Sequence, residues 1–159
     1  MTVADVTRVL EDAGARFEVI HHPHTESALA EAEVVGVNPD EVAKTLIVTT
    51  TRGHVRAVVP ASERIDIAKV RRLMGESKRR IHLASEQELA EEYPEFELGA
   101  VPPFGGTTED PVVVDRRLAE RETVVLEAGS HEDSVRVTVH DLLRVTHAEV
   151  ADICMESSE

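Results

Sequence analysis

Residues 46–59 read Leu46-Ile47-Val48-Thr49-Thr50-Thr51-Arg52-Gly53-His54-Val55-Arg56-Ala57-Val58-Val59. Two β-rich runs, Leu46 to Thr51 and Val55 to Val59, flank Arg52-Gly53-His54. A glycine in so short a connection between such runs predicts an antiparallel hairpin. Working outward, residues 2–14 carry Val3, Val6, Val9, Leu10 and Ala13 at the spacing of an amphipathic helix, with Thr2 as its cap and Gly14 as its end. A short strand is expected around Phe17 to Ile20, and a helix over 26–35 that stops at Gly36. Asn38-Pro39-Asp40 opens a short turn or helix running to about Ala43. Ile65 to Met74 has helical spacing. Ser85 followed by Glu88 is a capping-box pattern that starts a helix through Glu92. Strands follow at Val112 to Val114, Thr123 to Leu126 and Val135 to Val139. A short helix over Asp141 to Val145, capped by Thr138 or His140, and a last segment over Ala148 to Ile153 complete the chain. Helices and strands mix without strict alternation, and few connections are long enough for a parallel crossover. The fold class is therefore α+β with a mixed, mainly antiparallel sheet.

A length of 159 residues favours a single domain over 1–159, with its core at about 5–153 and a tail at 154–159. Aromatic residues make up 3% and Trp is absent, so the core must be built from Val, Leu, Ile and Ala. Cys154 is the one cysteine, which excludes an internal disulfide and fits a reducing compartment. Its place in the terminal stretch marks it as incidental rather than nucleophilic. No targeting or membrane segment is visible, which points to the cytoplasm.

The net charge of −14 argues against DNA and against non-specific nucleic-acid binding, which needs clustered Lys and Arg. Within that acidic chain, however, Lys69, Arg71, Arg72, Lys78, Arg79 and Arg80 fall close together. Two readings stay open for them: a solvated helix face and loop, or a local basic handle.

Four places could carry chemistry. Lys44 stands at the mouth of an apolar strand, suited to anchoring a phosphate or to stabilising developing negative charge. The bland alternative is a strand-end lysine that reaches back to solvent. The stretch Leu98-Gly99-Ala100-Val101-Pro102-Pro103-Phe104-Gly105-Gly106 packs three Gly and two Pro into nine residues. Glycine lets a backbone approach a ligand, proline stiffens the turn, and exposed N–H groups there could polarise a carbonyl. The alternative is a tight connecting loop. His131, in Gly129-Ser130-His131 between two strands, could bind substrate or orient water, or be an exposed loop residue. Asp115, ending its strand, could orient a polar partner or form a turn. His21, His22 and His24 lack the ligand spacing of a metal site, and no metal or cofactor is expected.

The order of these elements carries more than any one of them. Val42-Ala43-Lys44-Thr45-Leu46, Ala57-Val58-Val59-Pro60-Ala61, Gly99-Ala100-Val101-Pro102-Pro103-Phe104-Gly105, Val114-Asp115, Ala128-Gly129-Ser130-His131 and Asp141-Leu142-Leu143 follow one another. This succession resembles the YbaK/EbsC (YbaK/ProX) family of prolyl-tRNA-synthetase-associated editing domains over about residues 5–153. The resemblance implies a sheet curled toward a barrel with surrounding helices. It implies a freestanding trans-editing deacylase that hydrolyses mischarged tRNA, often tRNA(Pro) bearing Ala or Cys. Aminoacyl-tRNA would be its partner, with prolyl-tRNA synthetase a further one.

By the same resemblance, Lys44, Gly99 and Pro103 carry the catalytic assignment, and Lys44 engages the terminal adenosine phosphate. His22, His24, Ala100, Val101, Pro102, Asp115, Gly129 and His131 line the substrate site. Ala128 stands where cysteine-editing members have a polar residue, and Ser134 where an acidic one is expected, so cysteine specificity is not implied. Two rivals are a non-catalytic module that binds an aminoacyl or nucleotide group, and a regulatory protein that binds a partner through its acidic surface. A deep polar-rimmed cleft between Lys44 and Gly99 would favour the enzyme.

Overall fold

The computed structural model describes residues 3–106 and 109–156. The predicted hairpin is its spine. β2 (Val42–Thr50) and β3 (Gly53–Pro60) pair antiparallel from Ala43 opposite Pro60 to Thr50 opposite Gly53. Both strands run further than their β-rich cores, because Val42 and Ala43 find buried partners in the neighbouring strand β6 (Thr123–Ser130). β6 forms a second hairpin with β7 (Asp133–Thr138), and β7 pairs antiparallel with β1 (Phe17–His21).

The sheet runs β1-β7-β6-β2-β3-β5-β8, where β5 is Val112–Asp115 and β8 is Glu149–Ala151; β4 (His82–Leu83) attaches to β2 off this path. Four pairings are antiparallel and three, β2–β6, β3–β5 and β5–β8, are parallel. The mainly antiparallel α+β class holds, and the sheet is open rather than a closed barrel. The parallel contacts are made by strands far apart in sequence, which local patterning does not reveal.

The helices stop and start where the chain's chemistry says. α1 (Val3–Asp12) buries Val6 and Leu10 completely. The expected cap, Thr2, lies outside the described residues. In α2 (Ala28–Val35), Ser27 accepts from the N–H of Ala30, and Gly36 ends the helix at φ 80°, a left-handed turn that costs glycine little. α3 (Ile67–Met74) is capped by Asp66, and α4 (Glu86–Glu92) carries the predicted Ser85/Glu88 capping box. α5 (Arg116–Ala119) is a single turn after β5, and α6 (Val139–Thr146) is capped by Thr138. None of these helices is long and apolar enough to cross a membrane.

One core gathers Val6, Leu10, Leu118, Leu126, Val135 and Leu142; a second lies by α3 around Val48, Val59, Val70 and Ile153. The second core corrects one expectation. Cys154 is not in a tail: it is fully buried there, bridges to Ile65, and its thiol is pushed up to about 12 by burial, with Asp115 adding to the effect. An unreactive, packed thiol fits its reading as no nucleophile.

Candidate functional site

A gap in the sheet places the site. On the edge of β2 away from β3, β6 covers Val42 and Ala43, and β4 covers Val48 and Thr49. The Ala84 N–H closes on the Ile47 carbonyl at 2.9 Å. Among the described residues no strand pairs with this edge between Lys44 and Leu46, so backbone groups of β2 face open space. Antiparallel alternation turns the N–H and C=O of Thr45 the same way as those of Ile47, into that gap. A cleft of about 370 Å³ opens there, lined by Lys44 to Ile47, Ala28 and Leu29 of α2, Leu83, Gly99, Val101 and Glu127 among others. Lys44 and Gly99, 55 positions apart in sequence, thus share one cavity.

Lys44 is half-buried, and burial lowers its ammonium pKa, with the like charge of Arg64 adding to the effect. Among the described residues no carboxylate forms an ion pair with it, although the protein carries 31 acidic side chains. A partly desolvated, unpaired cation beside a second cation is an arrangement that an anion would relieve.

Gly99 sits at φ 83°, where an L side chain is strained, and its Cβ direction points at His131 Cε1, 3.7 Å away. The loop is fastened to the β6–β7 turn at three points. The Glu97 N–H donates to the Gly129 carbonyl at 2.9 Å, the His131 N–H to Glu97 Oε2 at 2.9 Å, and His131 Nε2 to the Leu98 carbonyl at 2.7 Å. His131 is therefore buried rather than exposed. Because a carbonyl only accepts, Nε2 carries a proton, and whenever the ring is neutral Nδ1 is a lone pair. From the other side, Arg56, which is 1% exposed, donates to the carbonyls of Pro102 (2.9 Å) and Gly105 (2.7 Å) and pairs with Asp110 (3.0 Å). Ala100, Pro102 and Pro103 are buried supports of the loop; Pro103 lines a separate cavity with Arg56 and Phe104.

The turn histidines part company. His21 pairs with Asp133 at the end of β1, His22 meets Ser134 Oγ through Nε2 at 2.8 Å, and His24 stacks edge-on against His131 with ring centroids 5.2 Å apart. No group of three or more His, Cys, Asp or Glu able to hold a metal ion occurs among the described residues. Asp115 lies outside the cleft. Fully buried, it caps α5 through the Arg117 N–H (3.0 Å), accepts from the Ile153 N–H (2.9 Å) and pairs with the Arg117 side chain. Its polar partner is the protein itself.

Sequence reasoning missed the acids behind the cleft. Glu31 of α2 is fully buried and bonds Ser134; burial raises its carboxyl pKa. Glu127 of β6 lines the cleft, and burial pushes its pKa up to about 9, helped by the negative charges of Glu31 and Glu97. A helical signal for Glu31 was present, since residue 31 falls on the same face as Ala28, Ala32 and Val35.

Lys44 and Gly99 thus line one small-ligand cleft beside an open sheet edge of an α+β domain. The chain belongs to the aminoacyl-tRNA editing domain family, which matches it over residues 22–145. It is similar to a solved structure described as a candidate trans-editing enzyme for prolyl tRNA synthetase. That match has 29% identity, TM-score 0.87, and covers 97% of both chains. A hypothetical protein, APE2540, aligns with 27% identity and TM-score 0.86 over 95% of this chain and 99% of its own. A chain from work on epitope grafting onto scaffold proteins aligns with 27% identity and TM-score 0.86 over 98% and 97%.

Proposed function

We propose that this protein is a trans-editing aminoacyl-tRNA deacylase that hydrolyses the ester of mischarged tRNA, with tRNA(Pro)-type substrates first in line. The observation that carries the reading is that Lys44, without a carboxylate partner among the described residues, and Gly99 line one cleft. An aminoacyl ester is already activated, so positioning and carbonyl polarisation contribute more than a strong base. Lys44 holds the phosphate of the terminal adenosine. The N–H groups near Gly99, with that of Thr45 on the opposite wall, stabilise the oxyanion formed when water adds to the ester carbonyl. The intermediate collapses to free amino acid and the ribose hydroxyl of the tRNA. His131 holds the loop in place through Leu98. A similar chain described as a candidate trans-editing enzyme for prolyl tRNA synthetase supports the reading. Lys78, Arg79 and Arg80 are exposed in the segment that leads into β4 beside the cleft, and are the local basic handle for the acceptor end.

The test is deacylation of a panel of tRNAs charged with Ala, Cys or Ser. Turnover of one species well above its spontaneous hydrolysis is expected. Absence of turnover across the panel would move the reading to a non-catalytic aminoacyl-binding module.

A further inference from the structure

Three buried side-chain atoms among the described residues have no hydrogen-bond partner: Glu31 Oε1, Glu127 Oε2 and His131 Nδ1. They belong to one neighbourhood. Glu127 Oε2 and His131 Nδ1 lie 3.1 Å apart without the alignment of a hydrogen bond, and Glu31 is close enough to both residues to act on them electrostatically. Unsatisfied buried polar atoms are costly and uncommon, and three together call for a missing donor. With the Leu98 carbonyl taking the Nε2 proton of His131, the free Nδ1 is an acceptor, like the two carboxylate oxygens. A ligand group that brings a positive charge ionises Glu127, and one with several N–H donors then serves acceptors that the protein leaves without a partner.

We propose that Glu127, backed by Glu31 and His131, is the recognition site for the free α-ammonium group of the aminoacyl moiety, so that the cleft accepts esters of unblocked amino acids and rejects N-acylated ones. The proposal rests on the deacylase reading and names the substrate class of the same site. A primary ammonium offers three N–H donors and one positive charge. The lining of the cleft fits such a ligand: Lys44, which has no ion-pair partner among the described residues, and Glu127 share it with apolar Ala28, Leu46 and Val101. A phosphate at the first and an ammonium at the second are the two charged ends of an aminoacyl adenosine phosphate. With no cation beside it, burial holds the Glu127 carboxyl up at about 9. An ammonium restores the carboxylate, because a close cation in a poorly solvated site favours the ionised acid. A neutral amine gives the same ion pair by taking the proton from Glu127. N-acylation removes the charge and two of the N–H donors, leaving all three acceptors short.

The experiment compares two non-hydrolysable probes, the amide-linked analogue of alanyl-adenosine 5′-phosphate and its N-acetyl form, by calorimetric titration of wild type and Glu127→Gln. Wild type is expected to bind the free amine at least about tenfold more tightly, and Glu127→Gln to bring the two affinities within about twofold. The wild-type comparison needs no variant, and Glu127→Gln keeps the shape of the carboxyl while removing its ability to ionise. Equal affinities in wild type, or no binding of either probe at millimolar concentration, overturn the site. Discrimination retained by Glu127→Gln overturns the role of Glu127. Discrimination without turnover of any charged tRNA would sink the deacylase reading while keeping the site, and turnover without discrimination would do the reverse.

Discussion

Two carboxylates, Asp152 just past the edge strand β8 and Glu127 on the inner strand β6, show what separates architecture from function here. Asp152, just past β8, accepts from Lys69 (2.9 Å) and Arg117 (3.2 Å), and these cations hold its pKa down to about 2. Lys69 also reaches the Cys154 carbonyl, and Arg117 also pairs with the buried Asp115. Around the chain's end each charge named has its counter-charge. In the cleft the pattern reverses: Lys44 has no carboxylate partner among the described residues, and Glu127 is driven up to about 9 with an oxygen unbonded. A partnered charge is consumed in holding the fold, whereas an unpartnered one is free for a ligand.

Arg56 is the strongest way to sharpen this contrast, because it is a partnered charge beside the cleft. Removing it takes the counter-charge from Asp110, which keeps the Tyr93 hydroxyl as a donor, and takes the Arg56 donors from the carbonyls of Pro102 and Gly105. Arg56→Ala should cost roughly 3 kcal/mol, read as a melting temperature lower by about 10 °C. A variant as stable as wild type would break the rule that partnered charges carry stability. Gly99→Ala tests the other side with a smaller effect. Its new methyl meets ordinary contact at His131, so the cost is the left-handed backbone, about 1 kcal/mol. Deacylation should fall about tenfold as the loop shifts, at a melting temperature within a few degrees. Activity equal to wild type would remove the loop from the mechanism.

Much of the framework was legible in the sequence. The Gly53 hairpin, the Gly36 helix end, the Ser85/Glu88 capping box and the Thr138 cap are local devices written in a few adjacent residues. Lys44 and the Gly99 loop were legible as candidates, since an isolated cation in an apolar strand and a Gly/Pro-dense loop break local patterning. Their meeting was not, because it depends on the sheet gap between β6 and β4. Glu127 reads as the outward position of an alternating strand, and only tertiary packing covers that face. Asp115 was misjudged for the same reason: the residues that satisfy it include Ile153, 38 positions away.

The account's central claim is tested most directly by measuring Lys44→Ala and Asp115→Ala side by side, each for deacylation rate per folded molecule and for melting temperature. Lys44→Ala is expected to lose about 100-fold in rate with little change in melting, since it removes an unpaired cation from a half-buried strand position. Asp115→Ala is expected to lose roughly 3 kcal/mol of stability, about 10 °C, while folded molecules retain their rate. The reverse outcome, a stable Asp115→Ala protein without activity or an unfolded Lys44→Ala protein, would contradict the division between partnered and unpartnered charges.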